Sequence, residues 1–240
     1  MKWFTASIVL TLATLAAFSA SDTPTTLEYE VVNVTRQLLL DTGNGERALQ
    51  AGEVAKSGDS LRTGSRSRAE LEVAEHAARF VISSKTRFRL AHDRPGVLLE
   101  IERGSLRAIF GTLSEGDDRE RLVTTPSAVL AVRGTEYGVE VKKDGDTSIT
   151  VFEGTVEVWD VGGIGERVRV RAGQQAKVQK GKAPSTPKAH GLTAGDWDRG
   201  RRRPSSTIGG MGQSPGMGAG GQQGSGGAQS RQGGSKKHGG

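Results

Sequence analysis

Several groupings of side chains in this 240-residue chain could do chemistry. Arg133, in Val132-Arg133-Gly134-Thr135, carries the planar fork that recognises carboxylates and phosphates. The expectation is a structural use of that fork: Gly134 allows close backbone approach, and Arg133 reaches Glu136 or Glu153 to fix one strand against its neighbour. His76 stands near Glu70, Glu72 and Glu75, which raises metal chemistry. Along a strand, however, Glu70, Glu72 and His76 share one face while Glu75 points to the other, and no second histidine is close. A solvated acidic face is expected there, with no metal. His92, His190 and His238 stand singly. Asp117-Asp118 pairs two carboxylates, the chemistry of glycosidases, but its setting in Ser114-Glu115-Gly116 reads as a solvated turn.

Other catalytic signatures are missing from the sequence. The chain has no cysteine, no Gly-x-Ser-x-Gly elbow, no His-Glu-x-x-His and no glycine-rich phosphate loop between a strand and a helix. No catalytic residue, cofactor or metal ligand is therefore assigned, and the chain is expected not to be an enzyme. Arg199, Arg201, Arg202 and Arg203 form a basic knot, echoed by Arg231, Lys236 and Lys237. Such runs hold polyanions by counterion release, so an anionic wall polymer or lipid surface is the partner expected for this segment. Aromatic stacking platforms are absent from it, which argues against nucleic acid.

The elements that must position these groups are strands. From Leu27 to Val178 apolar residues alternate with polar ones over short runs, as at Leu71 and Val73, Phe88 and Leu90, Leu106, Ala108 and Phe110, and Tyr137, Val139 and Val141. That period of two predicts an all-β domain. Lys142 to Thr147 contains Asp144-Gly145, which predicts a tight type I′ hairpin, and Asn44-Gly45 reads similarly. Gly104, Gly154 and Gly173 each stand at the mouth of a strand, where a residue without Cβ turns a sharp corner. Recurrent cornered strands suit a short β-solenoid or a twisted two-sheet sandwich equally.

Both ends differ in character from this middle. Lys2, the apolar run from Ile8 to Phe18 and the small residues Ser19 to Ser21 read as a secretory signal peptide over residues 1–21, too short in its apolar run for a membrane anchor. Residues 22–181 make the β domain. Residues 182–240 read as a disordered tail rich in Gly, Ser and Pro, with Trp197 its one aromatic side chain and the expectation that it sits undocked in a linker. The chain's net charge is +6, yet this tail holds nine Lys or Arg against two Asp, and with Lys2 set aside the domain comes to −2. Basicity is thus a property of the tail, and the net charge says nothing about the domain face.

One stretch carries a family pattern. Thr125-Pro126 opens an apolar strand, Arg133-Gly134-Thr135 follows, and Val151-Phe152-Glu153-Gly154 leads into an alternating valine run. This resembles the signature of the FecR-domain family, with weaker likeness at Leu49 to Glu53, Ser57 to Gly64 and Ala69 to Val73. The resemblance implies an envelope protein built on a FecR-like β domain, with Thr125, Pro126, Arg133, Gly134, Thr135, Glu153 and Gly154 as family-motif residues of structural use. Family sensors that couple an outer-membrane receptor to a sigma factor carry a cytoplasmic helical domain and a membrane helix, which the signal peptide read here replaces. The expected role is a periplasmic or secreted protein-binding or scaffolding module of the cell envelope. A surface-adhering protein that binds envelope glycan or anionic polymer is the second expectation, and a sigma-factor regulator the third. Mass analysis of protein from its native host should give a mature N-terminus near Ala20 to Asp22; an intact Met1 would contradict export.

Overall fold

The computed structural model describes residues 26–90, 94–114, 116–117 and 119–200. The signal segment, Asp118, His92, His238 and the basic residues from Arg201 onward lie outside the described residues. In chain order the strands are β1 (Glu28–Thr35), β2 (Leu38–Asp41), β3 (Glu46–Leu49), β4 (Val54–Lys56), β5 (Ser60–Thr63) and β6 (Arg68–Val73). After a 3-10 turn at Ala74–His76 come β7 (Ala78–Ile82), β8 (Arg87–Leu90), β9 (Val97–Phe110), β10 (Leu122–Thr124), β11 (Ala128–Val132) and β12 (Glu136–Val141). The rest are β13 (Thr147–Glu153), β14 (Thr155–Asp160), β15 (Val168–Arg171), β16 (Gln174–Val178), β17 (Lys188–Ala189) and the short helix α1 (Ala194–Asp198).

These strands form two layers. One runs β4-β1-β6-β7-β9-β12-β13-β16-β17. The other runs β3-β2-β5-β8-β9-β10-β11-β14-β15. Only β9 belongs to both: residues up to Arg103 pair with β8 and β10, and those from Gly104 on pair with β7 and β12. Every pairing is antiparallel except β9 with β10. The inward side chains of both layers, among them Tyr29, Leu71, Phe80, Tyr137, Val139 and Val151 from the first and Leu38, Leu61, Phe88, Leu99, Leu130 and Val158 from the second, make one core. The all-β reading holds, and the chain forms a two-sheet sandwich whose sheets do not close.

Corners decide that outcome. The chain passes between layers at Arg36, Arg66, Lys85, Gly134, Gly154 and Gly173, each with positive φ, and β9 bends through Gly104 at φ +102°. The sequence places Gly104 at the mouth of the strand holding Leu106, whereas the structure runs one 14-residue strand through it. The β12–β13 hairpin forms as expected in register, Val141 opposite Thr147. Its turn differs, since only Gly145 takes a positive φ, +87°, where a type I′ turn needs two such residues.

The boundary at residue 181 is corrected by the structure, because residues 182–200 pack on the domain. β17 extends the first layer beside β16, and α1 lies across β9 and β12 on that layer's outer face. A capping box starts α1: Asp196 N–H donates to Thr193 Oγ1 and Thr193 N–H donates to Asp196 Oδ2, both at 3.1 Å. Trp197 is buried, 1% exposed, over Gly138, where an added Cβ would stand 2.4 Å from the indole. Phe152 meets the indole edge-on with ring centroids 6.1 Å apart, and the His190 ring, 3.0 Å from the Val151 carbonyl oxygen, meets Phe152 from another side. Asp198 then takes a two-pronged fork from Arg107, at 3.0 and 2.8 Å, and a third bond from Arg68 at 3.0 Å. Burial works against the Asp198 charge, but these hydrogen bonds outweigh it and hold the carboxyl below its usual range.

Residues 182–200 form a strap over the layer, which gives a direct test. Trp197→Ala is expected to cost about 3 kcal/mol of stability. Gly138→Val is expected to expel the indole, shifting tryptophan emission to longer wavelength, and to add little on the Trp197→Ala background. Unchanged emission and melting temperature in Gly138→Val would show that the indole does not sit on that glycine.

Candidate functional site

The family-motif residues are brought together, and most of them build corners. Thr125 is buried, and its Oγ1 accepts from Ala128 N–H at 2.8 Å and Ser127 N–H at 3.3 Å. Thr147 Oγ1 donates to it at 2.8 Å, and Ser127 Oγ, 2.8 Å from Thr147 Oγ1, donates to the Val178 carbonyl. Three buried hydroxyls thereby tie the Thr125-Pro126-Ser127 turn between β10 and β11 to β13 and β16, and Pro126 packs against Gly145. Gly134, φ +58°, and Gly154, φ +75°, stack back to back, since a Cβ on Gly154 would lie 2.5 Å from the Gly134 carbonyl oxygen. Thr135 is buried and exchanges both backbone hydrogen bonds with Phe110 at 2.9 and 3.1 Å. Glu153 is exposed at the end of β13.

Arg133 does not bond the expected Glu136. Its side chain is exposed, and the Glu136 carboxylate it was expected to reach belongs to Arg107, at 2.6 Å. The reason is parity: Glu136 and Arg107 project from the same outer face of adjacent strands in direct register with each other's neighbours, while Arg133 precedes the Gly134 corner and points elsewhere. It lines a cleft of about 660 Å³ between the 112–121 segment and the end of β11.

The same cleft holds Asp117, Arg119 and Arg121. Arg119 grips Asp117 with two donors, Nε at 2.9 Å and Nη2 at 2.5 Å, which together with a backbone hydrogen bond brings the Asp117 carboxyl down to about 2. Arg121 is different in kind. It is 2% exposed, donates Nη1 to the carbonyls of Gly111 at 2.8 Å and His76 at 3.2 Å, and lies 5.2 Å from the Phe110 ring centre. Its Nε has no hydrogen-bond partner, and among the described residues no carboxylate bonds its guanidinium. Burial, reinforced by the like charges of Arg133 and Arg119, pushes its pKa below the ordinary arginine value. A buried cation held by carbonyl dipoles and a ring face is a costly arrangement that an incoming anion would relieve. The chemical capacity of the cleft is recognition of a carboxylate or similar anion by arginine forks.

The other expectations resolve as follows. His76 is buried, and desolvation lowers its pKa, so the imidazole is neutral near neutral pH. The neighbouring acids are not a bare acidic face, because Glu72 pairs with Arg79 at 2.9 Å and Glu70 with Arg68 at 3.6 Å across the strands. Among the described residues no group of three or more His, Cys, Asp or Glu could hold a metal ion. Arg119 and Arg121 were missed in the sequence. Arg121 directly adjoins the fully buried run Leu122-Val123-Thr124, and a charge abutting such a run was the available signal.

Residues 59–157 match the FecR protein family model, the family the motif resembles. Two crystal structures of a protein from Parabacteroides distasonis described as a "putative anti-sigma factor" are similar to this chain, each at 16% identity and a TM-score of 0.44. Each likeness covers 54% of this chain and 59% of that one. No curated protein matches. The family match runs from the turn before β5 into β14, so it contains the β9 bend and the motif corners and leaves out β1 to β4 and the strap.

Motif residues should therefore separate into two kinds. Gly154→Val is expected to lose more than about 2 kcal/mol, from a β-branched residue at positive φ against a backbone carbonyl. Arg133→Ala is expected to stay within about 0.5 kcal/mol of the parent in thermal melts. Equal losses in the two variants would return Arg133 to a structural role.

Proposed function

We propose that this chain is an exported, non-enzymatic FecR-domain protein that acts as a protein-binding module of the bacterial cell envelope, taking an acidic segment of its partner into the Arg119, Arg121 and Arg133 cleft. The observation that carries this reading is Arg121, a buried guanidinium with no carboxylate bonded to it among the described residues, beside the family's motif corner. Arg133 adds a second guanidinium at the lip of the cleft, while the buried Arg121 fork supplies the selective contact. Export rests on residues 1–21, and no described helix is long and apolar enough to cross a membrane. The family match over residues 59–157 favours a second reading, a regulator of the sigma-factor signalling that FecR-like sensors serve. The two readings share the cleft and differ in the partner's identity.

The test uses the full-length chain as bait in envelope extract, with the captured protein then purified and titrated. Arg133→Glu and Arg121→Met are each expected to weaken its binding at least ten-fold, about 1.4 kcal/mol, with melting temperatures close to the parent. Undiminished binding in both variants would remove the cleft from the function. A captured receptor-linked regulator would favour signalling, and any other envelope protein would favour scaffolding.

A further inference from the structure

A second cleft, of about 570 Å³, opens where β9 crosses from one layer to the other. Its walls are the end of β5 with the following corner, the turn before β8, the bend of β9 and the β12–β13 hairpin. It is lined by Arg62, Lys85, Arg87, Arg103, Lys142 and Lys143, and none of its lining residues is acidic. These cations belong to the domain and are separate from the basic tail. The domain carries a slight net negative charge, yet register gathers its cations on one side.

The arrangement is not a scatter of surface charge. Arg62 stands opposite Arg87, and Arg87 opposite Arg103, on the adjacent strands β5, β8 and β9. Three like charges in a cross-strand row repel at the closest spacing a sheet allows. Two of the three have a carboxylate nearby: Arg62 forks onto Glu46 at 2.5 Å, and Arg87 lies 3.8 Å from Glu102. Arg103, Lys85, Lys142 and Lys143 have no salt bridge among the described residues, and all four are exposed. Lys85 also occupies a φ of +57°, a backbone state in which glycine is cheapest, so a long cation is held there at a conformational cost.

From this we infer that the second cleft is a binding site for phosphate-bearing polyanions. Guanidinium forks match the paired oxygens of a phosphoryl group, and the flanking ammonium groups of Lys85, Lys142 and Lys143 add point charges along a path longer than one phosphate. No aromatic side chain lines the cleft, so neither stacked bases nor sugar faces are read, and recognition is by charge and fork geometry. The site is separate from the Arg121 cleft, with which it shares no lining residue.

The experiment titrates the full-length chain with inorganic polyphosphate at several salt concentrations. The double variant Arg103→Gln/Lys143→Gln is expected to bind at least ten-fold more weakly and to flatten the slope of log affinity against log salt by about two, one for each lost phosphate contact. Its melting temperature should not fall, because it relieves repulsion. Arg133→Glu in the other cleft should leave polyphosphate binding unchanged. Vesicles of phosphatidylglycerol form the second arm: binding that the double variant also loses assigns lipid headgroups as a source, and binding to polyphosphate alone assigns a polymer, each in support of the site. No binding of polyphosphate by the parent chain overturns the inference. So does binding that survives in the double variant but is lost in Arg201→Gln/Arg202→Gln/Arg203→Gln, which would place the polyanion on the C-terminal basic knot.

Discussion

The bend of β9 at Gly104 is the constraint from which the rest of the sandwich follows. β9 is the central strand of both layers, so each layer takes its register from one half of it. The bend is packed against Thr86 so closely that a Cβ on Gly104 would stand 2.5 Å from the Thr86 Cα, in backbone that no flexible side chain can yield. Thr86 then sews the bend in place. Its Oγ1 donates to the Ser105 carbonyl and accepts from Ser105 N–H, both at 3.0 Å, while its own N–H donates to Thr63 Oγ1 at 3.0 Å. Three buried polar residues, on β5, on β9 and in the turn before β8, thus satisfy one another beside the apolar core. A flatter β9 would keep all its strand pairs in one sheet and leave the inward faces of that sheet without a partner layer.

Much of this was legible in the residues. Alternation located strands such as β6, β8, β12 and the second half of β9, and the glycines at 104, 154 and 173 marked real corners. Solenoid and sandwich could not be told apart, because the corners they need are locally the same and only long-range pairing, such as Leu122 with Val97, distinguishes them. The strap was missed for a related reason. A single tryptophan among polar and glycine residues has no periodicity, and its receptor is a missing side chain at position 138, some sixty residues earlier. Both clefts were also invisible. Arg62, Arg87 and Arg103 look unrelated until strand register sets them side by side, and Arg121 looks like one more charge in a polar loop until its neighbours close over it.

The division of labour between motif and chemistry follows from the same geometry. Thr125, Gly134, Thr135 and Gly154 spend their hydrogen bonds and their conformational freedom on turning the chain, and they are enclosed by doing so. The long cations Arg119, Arg121 and Arg133 stand beside those corners, and it is on them that the proposed binding role rests. Arg133 shows this at a single residue: it stands in the family motif and directly before a corner glycine, yet its side chain lies in solvent at the lip of a cleft. A motif that is recognisable because it is architectural can in this way mark the location of a site without containing most of its working groups.

The contact between Gly138 and Trp197 also limits how the chain can diverge. Position 138 sits in the middle of a central strand with an ordinary backbone conformation, where glycine is otherwise a poor choice, and only the indole above it excludes a larger residue. The two positions are therefore one heritable unit. A descendant that sheds its C-terminal strap releases position 138 to the valines and threonines that strands favour, and once such a residue is established the strap cannot be regained by restoring the tryptophan alone. Loss of the strap in a lineage would thus act as a ratchet, readable in the identity of a residue far from the segment that was lost.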